Sequence, residues 1–162
     1  MLDYTLVSAI ATYRMPTPRD TPRLVQLAQA LHREDPGPER SEMTADKVLA
    51  TVSELGRSKD RGSVFVFERE GTVVGYAIII LYWSNEMGGI VLVIDELYVD
   101  PAQRGNGIAT DFVTLLGKVA PQGVVAMQLE VTRTNRRVLE LYRKLGFRDT
   151  GRQLLTFPIE RP

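Results

Sequence analysis

The sequence predicts an α+β fold, with a mixed central β-sheet of about six to seven strands flanked by about four helices. Three observations lead there. Apolar residues recur at helical spacing in four separate stretches, and runs of Val, Ile, Phe and Tyr of strand length lie between them. The order of these segments is β-α-α-β-β-β-α-β-α-β, which is neither a string of βαβ units nor a bundle. No internal repeat or linker interrupts the chain. Residues 1–162 therefore read as a single domain, long enough to bury a substantial core.

Ala9 to Met15 is a short strand, and Pro16, Pro18 and Pro22 punctuate the chain after it. Leu24, Leu27, Ala28 and Leu31 then share one helical face, with Asp20 or Thr21 as N-cap and His32-Arg33-Glu34-Asp35 leading into Pro36. His32 reads as a surface residue at that helix end. Pro36-Gly37-Pro38 is loop. Thr44 opens a second amphipathic helix with Val48, Leu49, Val52 and Leu55 on its apolar face, and Gly56 is placed to stop it. Ser63 to Arg69 and Thr72 to Trp83 are strands joined at Glu70-Gly71, a tight hairpin. Ser84 to Gly89 turns the chain into Ile90 to Val99, so three strands form an antiparallel meander. Ile108, Phe112, Leu115, Leu116 and Val119 restore the helical period as far as Pro121-Gln122-Gly123. Val124 to Val131 is a strand. The last helix carries Val138, Leu141, Tyr142 and Leu145 with Gly146 at C′, and Gln153 to Ile159 supplies a final strand or two.

Composition narrows the chemistry. Lys+Arg and Asp+Glu number 20 each, which argues against a general nucleic-acid or membrane binder, since both rely on surplus cations. There is no Cys and one His, so disulfides, a thiolate nucleophile and a Cys or multi-His metal site are excluded and no metal is expected. Val73 to Trp83, the longest nearly unbroken apolar stretch, is far shorter than the roughly 20 residues that span a bilayer. Met1-Leu2-Asp3-Tyr4 lacks the basic start of a leader, so a soluble, cytoplasmic protein is expected.

The most informative segment is Glu96-Leu97-Tyr98-Val99-Asp100-Pro101-Ala102-Gln103-Arg104-Gly105-Asn106-Gly107-Ile108-Ala109. A strand ends, Pro101 breaks it, and two glycines precede an amphipathic helix. Glycines let backbone amides converge, and the helix N-terminus adds unsatisfied donors and about half a positive charge. That is an anion site suited to phosphate. No Walker A string exists in the chain, and a dinucleotide fingerprint would need Gly where Thr110 stands.

Arg104-Gly105-Asn106-Gly107-Ile108-Ala109 matches R-x-x-G-x-[GA], the pyrophosphate signature of the GNAT superfamily of N-acetyltransferases. Leu97-Tyr98-Val99-Asp100-Pro101 resembles its lead-in. Asn135 to Phe147 resembles the second signature, N-x-x-[AV]-x-x-x-Y-x-x-x-G-F. The resemblance implies acetyl-coenzyme A as co-substrate, with the amides of Arg104, Gly105, Asn106, Gly107, Ile108 and Ala109 around the pyrophosphate. The peptide groups of Leu97, Tyr98 and Val99 would pair with the pantetheine arm, whose two amides can satisfy a strand edge. Tyr142 would donate to the departing thiolate; a core tyrosine is the alternative. Asn135 would bond the cofactor, a role compatible with capping its helix.

Asp95 and Glu96 are adjacent carboxylates in a strand that otherwise reads as buried on both faces. An unpaired buried carboxylate is costly, so one or both line a wet cleft or meet a cation. Neighbours on a strand point to opposite faces unless a bulge intervenes, which leaves open which of them faces the acetyl group. A carboxylate is useful there because an amine of pKa about 10.4 is neutral in only about one molecule in 2,500 at pH 7, and only the neutral form attacks a thioester.

The resemblance implies an amine as acceptor, on a small molecule or a peptide. Tyr82, Trp83, Ser84, Asn85 and Glu86 could form its wall, with Trp83 and Glu96 as substrate-binding residues, or could be an ordinary aromatic hairpin. Rival readings are a non-catalytic coenzyme A-binding regulatory module and a structural dimerisation domain; edge strands also allow a homodimer. The zero net charge conceals an imbalance: Ser84 to Asp100 is net −4 and Arg133 to Arg152 net +5. That pattern suits a cationic acceptor and an anionic cofactor.

Overall fold

The computed structural model describes residues 5–36 and 42–159. These form six strands and four α-helices, in the α+β arrangement expected. By contact density the chain divides into two compact units, Met1–Glu130 and Val131–Pro162.

The first unit holds the sheet, whose spatial order follows the chain: β1 (Leu6–Val7), β2 (Thr12–Arg14), β3 (Gly62–Arg69), β4 (Thr72–Ser84), β5 (Gly89–Val99) and β6 (Val124–Leu129). The first five pair antiparallel, and β6 joins β5 in parallel. The β3–β4 hairpin turns at Glu70 (φ 51°) and Gly71 (φ 74°), both left-handed, as a two-residue hairpin requires. α1 (Thr21–Glu34), α2 (Ala45–Arg57) and α3 (Ile108–Lys118) complete the unit. Thr44 caps α2 by accepting from the Lys47 amide.

Strand alternation sends Val64 and Val66 of β3 into a core with Leu24, Leu27 and Ala28 of α1 and Val48 and Leu55 of α2. Phe65 and Phe67 point to the other face and meet Tyr13 and Phe112 of α3, with ring centroids 4.7–5.5 Å apart. So α1 and α2 cover one face and α3 the other. Arg14 of β2 ties the sheet to the start of α1: it bonds Glu68 of β3 and, in bidentate fashion, the buried Asp20.

In the second unit, α4 (Arg136–Lys144) begins at the N-cap Asn135, whose side chain accepts from the Val138 amide, and Gly146 follows at C′ as expected. Among the described residues no helix is long and apolar enough to cross a membrane.

Three expectations need correction. Gly56 does not stop the second helix, which continues to Arg57, because a glycine is tolerated inside a helix whose apolar face is already anchored by Val48 and Leu55. A two-residue strand, Leu6–Val7, precedes the first expected one, held by pairing with Thr12 and Tyr13 rather than by any apolar run of its own. Gln153 to Ile159 is not a strand: no described residue pairs with it, and Leu155 and Phe157 are each 88% exposed. Strand propensity without a ladder partner does not make a strand. Of the loop expected at 36–38, only Pro36 lies within the described residues.

Candidate functional site

The glycine loop starts where β5 ends. Asp100 caps a 3-10 turn (Pro101–Gln103) by accepting from the Ala102 amide, and its carboxylate pairs with Arg23 of α1. Gly105 (φ 86°) and Gly107 (φ 78°) are both left-handed, a conformation that costs other residues about 1–2 kcal/mol. Gly107 is the N-cap of α3 and carries no side chain to fold back on the helix. The first helix-closing bond runs from the Asp111 amide to the Gly107 carbonyl, which leaves the preceding amides pointing out of the helix end. Backbone donors, positive φ and the helix dipole thus coincide at one point, an arrangement suited to an anion.

The Arg104 side chain is engaged within the protein. Its Nη2 donates to both oxygens of Glu34, the last residue of α1, at 2.8 and 3.0 Å, and the guanidinium stacks 5.1 Å over the Tyr98 ring. Its Nε donates to the Val99 carbonyl, and the Tyr98 hydroxyl donates to Glu34 at 2.7 Å. The side chain therefore fixes the shape of the loop, leaving the backbone as the donor set.

The strand feeding this loop is irregular in two ways. Its parallel ladder to β6 ends at Ile94–Leu129, so among the described strands none pairs with the second edge of Leu97, Tyr98 and Val99; their other edge pairs with Ala77, Tyr76 and Gly75 of β4. This open edge offers peptide groups to an extended ligand. Second, Ile78 pairs with Glu96 but Ile79 pairs with Ile94, so Asp95 is the extra residue of a β-bulge. Ile94 faces the α3 layer with Ile79, whereas Glu96 faces the α1–α2 layer with Ile78.

Glu96 lines a cavity of about 380 Å³ between α1, α2 and the sheet. Tyr76, 1% exposed, donates a 2.6 Å hydrogen bond to its Oε2. Burial holds the Glu96 carboxyl above the usual range; the Tyr76 bond and the charge of His32 act against that shift, and Asp95 adds to it. Burial beside Glu96 pushes the Tyr76 hydroxyl far above its ordinary value. Asp95 is exposed and does not line the cavity, although desolvation raises its carboxyl too. A half-buried carboxylate in an apolar cavity is well placed to accept a proton from a bound cation.

Trp83 is elsewhere. It is 68% exposed and pairs with Ile90, five rungs from the Ile78–Glu96 pair, which is about 17 Å along the strand. The Tyr82 hydroxyl donates to Gln128. α1 and α2 supply the wall around Glu96, and Tyr76 supplies its hydrogen bond. The sequence signal for this was the apolar face of α2 and a tyrosine inside an apolar strand, each of which also suits plain core packing.

In the second unit Tyr142 is 8% exposed, and its ring packs edge-on to Phe147 at 5.4 Å. Desolvation pushes its hydroxyl up to about 12. That hydroxyl has no hydrogen-bond partner among the described residues, so its proton is available to a ligand.

The sequence pattern of the Acetyltransferase (GNAT) family matches residues 24–147. The bovine thialysine N-epsilon-acetyltransferase is 32% identical over 78 residues, which make up 48% of this chain and 45% of that protein; the matched stretch thus spans less than half of the relative's length. Among solved structures, an integron cassette protein from the mobile metagenome of Cole Harbour Salt Marsh superposes with a TM-score of 0.73 at 26% identity, covering 93% of this chain and 91% of that one. An aminoglycoside N-acetyltransferase solved in complex with CoA superposes with a TM-score of 0.71 at 18% identity, covering 100% of this chain and 99% of that one.

Proposed function

The chain belongs to the acetyltransferase (GNAT) family, and from that premise we propose that it moves an acetyl group from acetyl-coenzyme A to an amine by direct attack. Glu96 is the base, and Tyr142 is the donor to the departing sulfur. The observation that carries this reading is the placement of Glu96: it lines a largely apolar cavity one residue after a bulge, on the strand whose open edge runs into the glycine loop.

The residues fit the co-substrate. Amides at the start of α3, after Gly105 and Gly107, suit the pyrophosphate; Leu97 to Val99 suit the pantetheine amides; and Asn135 adds a polar group at the start of α4. Acetyl-coenzyme A supplies the thioester. Asp95 then serves as the bulge residue that turns Glu96 toward the cavity, and the two compact units act as one domain over residues 1–162.

An ammonium entering the cavity gives one proton to Glu96, which burial has made a better base than a free carboxylate. The neutral nitrogen bonds the acetyl carbon, the carbon–sulfur bond breaks, and the second nitrogen proton neutralises the thiolate. Tyr142, held near 12, stays protonated at neutral pH and contributes a hydrogen bond; complete transfer to a thiolate of pKa about 8.5 would be uphill.

Thiol release from acetyl-coenzyme A across a panel of amines tests the reading. Release that depends on amine and protein supports it. Coenzyme A binding without acetylation of any amine would instead leave a regulatory binding module.

A further inference from the structure

We infer that the acceptor is a monoamine carried on an apolar body of roughly a dozen non-hydrogen atoms, not a polycation; this rests on the acetyltransferase reading above. The cavity around Glu96 carries the argument. Its walls are Leu24 and Ala28 of α1, Val48 and Val52 of α2, and Val64 and Ile78 of the sheet. None can solvate a charge. Its volume of about 380 Å³ equals the space of about a dozen waters, at about 30 Å³ each.

Among the described lining residues, charge is placed at two points. Glu96 is the sole carboxylate among the lining residues, and it shares the buried end with Tyr76. Lys47, exposed and holding the Glu42 carbonyl at 2.8 Å, puts a cation at the solvent end beside Ala50 and Thr51. An ammonium bound at Glu96 is paired. A second ammonium on the same molecule would either sit unpaired among aliphatic side chains or approach Lys47, and both are unfavourable. The acidic stretch from Ser84 to Asp100 is accordingly not a polycation platform: Glu86 and Asp100 do not line the cavity, and Asp100 is already paired with Arg23.

Hexylamine and 1,6-diaminohexane differ by one terminal amine and are the test pair, with thiol release measured at saturating acetyl-coenzyme A. The expected kcat/KM is at least tenfold higher for hexylamine. KM should fall about fourfold per methylene from butylamine to octylamine, as burial of each CH₂ at about 0.8 kcal/mol requires. Lys47→Glu, which replaces the cation at the mouth by an anion, should narrow the hexylamine preference about tenfold. Equal or better turnover of the diamine, or acetylation of spermidine and aminoglycosides with none of the monoamines, would overturn the inference and leave the acetyltransferase reading standing. A preference unmoved by Lys47→Glu would overturn it as well. Failure with every amine would remove the reading on which it rests, and the inference with it.

Discussion

The Tyr76 hydroxyl donates a 2.6 Å hydrogen bond to the Glu96 carboxylate across the β4–β5 ladder, two residues along β4 from Ile78, the strand partner of Glu96. A nearly inaccessible tyrosine thus holds the one carboxylate that lines the cavity. Several measurable consequences depend on this pair.

Glu96→Gln should lower kcat/KM at pH 7 by about a hundredfold or more, the usual contribution of a general base. Alkaline pH should restore part of it by deprotonating the amine directly. Asp95→Asn should stay within about threefold of the parent, since Asp95 is exposed and outside the cavity. The pH–rate profiles of the three proteins check both statements; a larger loss in Asp95→Asn than in Glu96→Gln would reverse the assignment.

Tyr76→Phe keeps the ring and removes the bond. That bond lowers the Glu96 carboxyl against the opposing effect of burial, so its loss moves the acidic limb of the pH–rate profile to higher pH. Rate at pH 6 falls more than rate at pH 8. A merely structural tyrosine would scale both equally and leave the limb in place.

Tyr142→Phe should slow acetyl transfer by about tenfold or more while leaving coenzyme A affinity nearly unchanged. Single-turnover kinetics and calorimetric titration separate the two. A large loss of affinity would mark a packing role, consistent with the contact to Phe147 alone.

Gly107→Ala forces a side chain into a left-handed N-cap at φ 78°. The expected cost is about 1 kcal/mol of stability, or about 2–4 °C in Tm, together with roughly tenfold weaker coenzyme A binding. Unchanged binding would show that the amides after Gly107 do not hold the pyrophosphate.

Asp20→Asn tests the edge of the fold. Arg14, with further bonds from Thr17, holds the Asp20 carboxyl far below its ordinary value. The stabilisation is therefore complete above about pH 4, the ordinary carboxylate value, and is lost as pH falls below it. The variant should lose about 2 kcal/mol at pH 7, and the difference from the parent should shrink on acidification; urea titrations at pH 7 and pH 3 read it.

Local rules account for the features legible in the sequence. The Glu70-Gly71 hairpin, the Thr44 cap and the glycines before α3 are each decided by two or three neighbouring residues, and all occur where expected. Features that depend on distant partners were not legible. Glu34 meets Arg104 across 70 positions of sequence, and nothing local to Arg104 announces that its charge is already taken. Gln153 to Ile159 has strand composition, but a strand is a relation between two segments, and its partner cannot be read from one. Which of Asp95 and Glu96 lines the cavity turns on a bulge, and no residue type in this stretch marks one.

That bulge makes β5 a strand written in two reading phases. Upstream of Asp95 even-numbered residues such as Leu92 and Ile94 face α3; downstream, Glu96 and Tyr98 face α1 and α2. Loss of the Asp95 codon would therefore delete one exposed side chain yet set the two halves back in phase, swinging either Glu96 or Ile94 through the sheet to the wrong layer. A position that tolerates nearly any substitution can still be one that tolerates no deletion.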